Sequence, residues 1–308
     1  CSMRGVCVTE QISGPAFDLT EAMMHRRMVR RRLSRALRDG LWYLVLSFFA
    51  VTLALPLVWL VSTSLKTGAQ TFVMPPKWIP EPVVWQNYPQ AFQAVPFQRY
   101  FWNTLQVVIF ATLGTLLTAS MAAFAFARLR FRGRSLLFGL VLSTIMLPGI
   151  VTLIPTFIVF RYLKWINTFL PLIVPYWFGG GAFNIFLIRQ FFMTLPYDLD
   201  EAARIDGASN FRIYWDVLLP LSKPVLTTVA VFSFIHHWND FFLPLVYLQD
   251  TAKWTMAIGL QGFKDLYSTS WNLMMAASTA MILPLLALFF LAQHYFVSGI
   301  HLTGIAGR

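Results

Sequence analysis

Six long apolar segments alternate with short polar ones along the chain, at 41–63, 103–127, 135–160, 169–188, 225–248 and 272–297. Each holds the roughly 20 apolar residues that a helix needs to cross a hydrocarbon core of about 30 Å. The apolar runs are continuous rather than alternating, which excludes the strands of a membrane barrel. Lipid offers no partner to a backbone N–H or C=O, so segments of this kind must satisfy their own hydrogen bonds. The pattern therefore predicts an all-α polytopic membrane protein with six spans.

One stretch, LPYDLDEAARIDGASNFRIYWDVLLPLSKP (195–224), breaks the apolar pattern with a concentration of charge. Read as a helix over 199–206, it places Leu199, Ala202 and Ala203 on one face and Asp200, Glu201 and Arg204 on the other. Asp198 and Asp200 suit a helix start as N-cap and first-turn anions. Gly207 suits the exit, where a left-handed residue ends a helix at little cost. A second helical stretch over 210–218 ends at Pro220. The two form an elbow, too short and too charged to span a membrane. A solvated loop with helical turns would share these features. Its alanine face, however, admits close approach, and an isolated eight-residue helix is marginal in water, so it calls for a surface to pack on.

Prolines recur inside the apolar segments, at Pro56, Pro148, Pro155, Pro171, Pro175, Pro244 and Pro284, and the fourth segment adds Gly179, Gly180 and Gly181. Such breakers persist in lipid where neighbouring helices or a wet cavity satisfy the freed backbone groups. They predict helices bent around a path.

Charge sets the orientation. Of the 24 Lys and Arg residues, 17 fall in the tail before the first segment, in the RLRFRGR loop (128–134), in 189–224 or at Arg308. Seven fall in the other loops. An excess of Lys and Arg marks the cytoplasmic side, so both termini and the elbow are expected there. The formal net charge of +11 is thus mostly topology. The basic tail beside a first span suits anionic lipid rather than nucleic acid. The composition, 57% hydrophobic with 12% charged, lies outside the soluble range, where about a quarter of residues are charged. The resulting organisation is a basic tail (1–40), a six-span domain (41–300) with the polar loop 189–224, and a short tail (301–308). Both cysteines, Cys1 and Cys7, lie in the first tail and form no metal or redox motif. Residues 1–20 lack a signal-peptide pattern, and Met3, Met23, Met24 and Met28 are alternative starts.

Asp240 is the only acidic residue within the six segments. On a continuous helix Ser233, His236, Asn239, Asp240 and Tyr247 fall within about 120°, with Trp238 pointing elsewhere. An intramembrane carboxylate costs about 2.5–3.5 kcal/mol or more, so this stripe should face protein or water. Three readings stand: Asp240 pairs with His236 or across to another helix, the stripe borders a solute path, or His236 and Asp240 ligate a metal. Adjacent histidines splay by about 100° and no third ligand lies nearby, which counts against the last.

The elbow also carries a specific motif. Glu201-Ala202-Ala203, Gly207, Val217 and Leu219-Pro220 stand at the spacing of a signature of the membrane subunits of binding-protein-dependent ABC importers, with Val217 where that signature has Ile. The stretches 64–88, 165–192, 238–248 and 271–297 resemble the carbohydrate branch, similar to the maltose, multiple-sugar and glycerol-phosphate permeases. The ending GIHLTGIAGR departs from the usual family tail. The resemblance covers about 40–300. It implies a type I ABC importer permease fold and an elbow that acts as a coupling helix, docking into a cleft on a separate ATPase dimer. Glu201, Ala202, Ala203, Asp206 and Gly207, with Leu219 and Pro220, would be its coupling residues. It further implies a second permease subunit in a heterodimer, an extracytoplasmic sugar-binding protein facing 64–102 and Gln261-Gly262-Phe263, and a sugar or polyol-type solute. ATP and Mg would sit on the ATPase, with no cofactor in this chain.

No GxxxxGK[ST] phosphate loop occurs in the sequence, so nucleotide chemistry must come from another polypeptide. No Ser/His/Asp or HExxH arrangement stands out, so the chain reads as a transport subunit and not an enzyme. A glycerol-3-phosphate permease is a neighbouring alternative. An ion-coupled transporter using Asp240 would be expected to show inverted repeats, and none is evident.

Overall fold

The computed structural model describes the backbone of residues 15–264 and 270–305, and side chains over 37–264 and 270–293. Cys1, Cys7, the arginine side chains up to Arg35 and the side chains of the 301–308 tail lie outside the described residues. The described chain forms α1 (Pro15–Ser64), α2 (Asn87–Ala94), α3 (Phe97–Arg128), α4 (Arg134–Ser143), α5 (Gly149–Tyr162), α6 (Leu170–Ile173) and α7 (Ala182–Thr194). It continues through α8 (Asp198–Ile205), α9 (Asn210–Arg212), α10 (Leu219–Leu221), α11 (Lys223–Asn239), α12 (Phe242–Tyr247), α13 (Met256–Gly259) and α14 (Trp271–Ile305).

Among the described residues four stretches are long and apolar enough to cross a membrane: Leu37–Ser64, Phe97–Arg128, Leu170–Thr194 and Trp271–Gln293. Two bent pairs qualify if each counts as one span. Arg134–Met146 with Gly149–Tyr162 bends by 100°, and Asn210–Leu221 with Lys223–Asn239 bends by 79°.

The chain divides into two compact units, Cys1–Trp59 and Leu60–Arg308. The first is the greater part of α1. That helix begins at Pro15, so the basic segment expected as a tail continues into the first apolar run without a break. Its large side chains, Trp42, Phe48 and Phe49 among them, are exposed.

The second unit is built around α3. Its residues Ala111, Thr115, Ala119, Ala123 and Ala127 recur every fourth position and are all buried. Small side chains at this spacing let helix backbones approach closely, which is how packing holds helices together where lipid is as apolar as Leu. Ile185, Ile188 and Phe192 of α7 and Val225 and Val229 of α11 complete that cluster. Gly180, in the break before α7, has φ +62°, and a Cβ there would stand 2.7 Å from both the Ala119 Cβ and the Thr115 carbonyl oxygen. Toward the other end of α3, Tyr100 and Val108 pack with Trp238, Ala276, Ala277 and Met281. The Trp238 Nε1 donates to the Met281 carbonyl at 3.1 Å.

Three expected continuous helices are interrupted. In 135–160 the break falls at Leu147, which is extended (ψ 117°) ahead of Pro148. The proline ring disfavours helical geometry in the preceding residue. In 169–188 a 3-10 turn (Val174–Trp177) leads into the glycine triplet, and the helix then runs on to Thr194. In 225–248 the helix stops at Asn239 and Asp240 is extended (ψ 115°). Pro244 explains that position: it has no N–H for the Asp240 carbonyl, and its ring clashes with the carbonyl four residues back.

Candidate functional site

The elbow forms as its local chemistry dictates. The chain leaves α8 at Gly207, whose φ is +80°. The Gly207 N–H donates to the Arg204 carbonyl at 3.0 Å and the Ala208 N–H to the Ala203 carbonyl at 2.9 Å. This paired arrangement satisfies carbonyls that a helix end otherwise leaves open, and it requires a residue tolerant of the left-handed region. Ser209 then caps α9, its Oγ accepting from the Arg212 N–H at 3.3 Å. The expected second helix does not end at Pro220. It widens into a π-helical turn over Ile213–Leu218 and continues to Leu221 before bending into α11. Pro220 removes the donor that the Asp216 carbonyl would have in an α-helix, and a wider turn relieves this.

Burial divides the elbow in two. Ile213, Tyr214 and Leu218 are buried against Phe124, Ile188 and Phe192. The Tyr214 hydroxyl and Ser120 Oγ lie 2.8 Å apart. Leu199, Ala202, Glu201, Asp206 and Gly207 are exposed, and Ala203 is half-buried. Ile205 is 86% exposed and Phe211 63% exposed, the latter stacked on Trp215. Among the described residues nothing covers this apolar surface. Leu219 is half-buried and Pro220 exposed.

Asp200 departs from the expected solvent face. It is 1% exposed and forms an ion pair with Arg128, Nε to Oδ2, at 3.3 Å. Burial pushes its carboxyl up, and the Arg128 and Arg204 charges work against that rise. The Arg128 Nη2 also donates to the Leu195 carbonyl at 2.9 Å, and its guanidinium lies 4.3 Å over the Tyr197 ring. The last carbonyls of α3 are met in turn: Tyr197 OH donates to Ala127, Arg189 Nε to Phe126 and Arg134 Nη1 to Leu129. Cationic donors at a helix C-terminus also complement its dipole. Arg128 is thus a site residue that charge counting absorbed into topology. A helical wheel shows where Asp200 points, not that a cation on another helix waits there.

The polar stripe is not one stripe. Ser233 is buried, His236 and Asn239 are exposed, and Asp240 is half-buried. The break at Asp240 turns Tyr247 into a separate cluster with Val107 and Leu172, stacked near Phe157. Asp240 makes no ion pair among the described residues. Its Oδ1 instead accepts the Leu243 N–H at 3.2 Å, capping α12. The buried histidine is His237, edge-on to Tyr176 at 4.4 Å. No three His, Cys, Asp or Glu side chains gather as a metal site among the described residues. A cavity of about 470 Å³ lies where the breaks meet, lined by Gly149, Thr152, Thr156, Tyr176, Phe242 and Tyr247 among others. Its lining includes hydroxyls and aromatic faces and no charged group.

At the far end of α3, Gln261 and Gly262 are exposed, whereas Phe263 is 4% exposed and packs with Ala91, Val95 and Tyr100. Phe263 is therefore an anchor of that loop and not a contact surface.

Residues 114–302 match the family described as the binding-protein-dependent transport system inner membrane component. The chain is 31% identical to the permease protein of the sulfoquinovosyl glycerol transport system of Agrobacterium fabrum, over 86% of this chain and 93% of that one. It is 36% identical to the permease protein of the sn-glycerol-3-phosphate transport system of Yersinia enterocolitica, over 75% and 84%. The fold is similar to a chain of a solved bacterial ABC transporter involved in import of the acidic polysaccharide alginate. That likeness has a TM-score of 0.75 at 24% identity, over 85% of this chain and 98% of that one.

Proposed function

The chain belongs to the inner-membrane components of binding-protein-dependent transport systems, and from that premise we propose how it works as the permease subunit of an ABC importer for a sugar or related polyol. It crosses the membrane six times, the bent pair over 134–162 counting as one span and α11 with α12 as another, with both termini and the elbow on the cytoplasmic side as the Lys and Arg distribution requires. It pairs with a second permease subunit, receives solute from an extracytoplasmic binding protein at a face that includes Gln261 and Gly262, and draws its energy from an ATPase dimer that holds ATP and Mg.

The observation that carries this reading is the elbow itself. A short helix exposes Leu199, Ala202 and Ile205 with Glu201 and Asp206 beside them, while its base is tied into the bundle. Exposed apolar area of this kind marks an interaction site when it is contiguous, and small alanines let a partner surface come close. The solute path is assigned to the cavity at the helix breaks, since irregular backbone at membrane depth is tolerated where it lines a cavity or is covered by protein. Its uncharged lining suits a neutral polyhydroxylated solute better than glycerol phosphate.

Ala202→Trp tests the docking face. Ala202 is exposed in the chain, so the variant should insert and pair with the second permease normally, yet bring down markedly less ATPase on affinity purification. Undiminished ATPase recovery would count against the assignment of α8.

A further inference from the structure

The elbow is joined covalently to α7 and α11, and its polar side-chain contacts Arg128–Asp200 and Ser120–Tyr214 run to α3. Arg128, the last residue of that helix, meets three successive points ahead of and within the elbow: the Leu195 carbonyl, the Tyr197 ring and the Asp200 carboxylate. Both charged side chains are almost fully buried, at 1% and 2% exposure. The pair is also incompletely satisfied, since Arg128 Nε and Nη1 and Asp200 Oδ1 have no hydrogen-bond partner, so the contact is an ion pair without hydrogen-bond geometry. A buried ion pair of this sort is weak evidence for stability, because desolvation offsets its attraction and apolar side chains of similar volume often serve as well. Its charge supplies something packing does not: a specific attraction between one side chain on each of two elements.

The opposite end of α3 is tied just as specifically. Asn103 Nδ2 donates to the Ala252 and Trp254 carbonyls at 3.0 and 2.9 Å, and Thr104 Oγ1 accepts the Met256 N–H at 2.9 Å. From Asn103 to Arg128 the helix runs without a break, about 38 Å at 1.5 Å per residue. It contains no proline, unlike α1, α5 and α14. Both of its ends hold segments distant in sequence by polar contacts.

We propose that Arg128 and Asp200 are positioning residues for transport, forming the joint through which displacement of α8 is passed into α3 and along it to the outer 252–256 segment. This rests on the reading of the elbow as the ATPase contact. Motion entering at α8 then has two routes, one through the covalent bends into α7 and α11 and one through the ion pair into an unkinked rod. The second reaches the outer face without crossing a helix break, so it delivers the displacement undiminished by bending.

The test uses the complete complex, with ATPase, second permease and binding protein, in proteoliposomes. ATP hydrolysed and solute taken up are measured together, with glycerol or a simple hexose series as the first probes. Asp200→Asn strands the buried Arg128 charge and lowers thermal stability, but per folded complex ATP hydrolysis should stay largely intact while solute moved per ATP falls by about tenfold or more. Asp200→Glu should retain most of the coupling. The apolar double variant Arg128→Met/Asp200→Leu keeps the volume filled, so it should preserve thermal stability and still uncouple. A double variant with the wild-type ratio of uptake to hydrolysis would overturn the proposal, as would parallel losses of stability and uptake at a constant ratio. Absence of nucleotide-driven uptake by the wild-type complex would remove the underlying reading and the joint with it; intact wild-type uptake with coupled variants would remove the joint alone.

Discussion

Gly207→Ile is expected to leave the protein in the membrane and cut solute uptake by about tenfold or more. Gly207 stands at φ +80° with open space where a Cβ would lie, so the penalty is conformational and not steric crowding. A β-branched residue held in that region stores about 1–3 kcal/mol. The chain can escape that strain only by abandoning the paired bonds from Gly207 to Arg204 and from Ala208 to Ala203. The two arms of the elbow then lose their fixed angle, and α8 no longer meets its partner in register. Insertion is spared because no membrane-crossing segment is touched. Gly207→Asn provides the control, since Asn enters the left-handed region far more readily; it should transport nearly as well as the wild type. Uptake by both variants is read in vesicles at matched membrane content. Normal uptake by Gly207→Ile would show that the elbow angle is not used.

Gly180→Val is expected to act differently, by loss of folded protein. Here space and backbone both forbid a side chain: φ is +62° and even a single Cβ would press on the Ala119 Cβ and the Thr115 carbonyl at 2.7 Å. These atoms belong to a close seam of the bundle, where α3 meets the segment leading into α7. Overpacking such a site costs about 1–3 kcal/mol, and the left-handed backbone adds about 1–3 more. Against the roughly 5–15 kcal/mol by which most proteins are stable, that is a substantial part of the margin. Thermal unfolding in detergent should show a clearly lowered midpoint, with reduced yield from membranes. A wild-type midpoint would mean that α3 and the break before α7 pack less closely than the geometry indicates.

How much of this was legible in the sequence depends on the range of the interaction that sets each feature. The apolar runs are local, and so are the helix start at Asp198, the exit at Gly207 and the short elbow. The helix breaks were only half legible. Proline positions announced bends, yet Pro56, Pro155 and Pro284 lie inside continuous helices while Pro148 and Pro244 accompany breaks. Because of the break before Pro244, a wheel drawn through Asp240 placed Tyr247 on a face it does not share. Asp200 was invisible for another reason. Its partner Arg128 stands at the end of a different helix, in a run of arginines whose topological role already accounted for it. Phe263 was misjudged similarly, since an aromatic residue in an outer loop serves contact or anchoring according to what lies beneath it.

The central claim is that a rigid elbow converts work done by a separate ATPase into movement of the bent spans. Its most direct measurement is solute uptake into vesicles containing the purified complex, compared with ATP, with a non-hydrolysable analogue and with no nucleotide. Uptake should require hydrolysable ATP and the binding protein together, and should collapse in the Gly207→Ile complex while its ATPase subunits still hydrolyse. Equal accumulation with and without hydrolysable nucleotide would contradict the account.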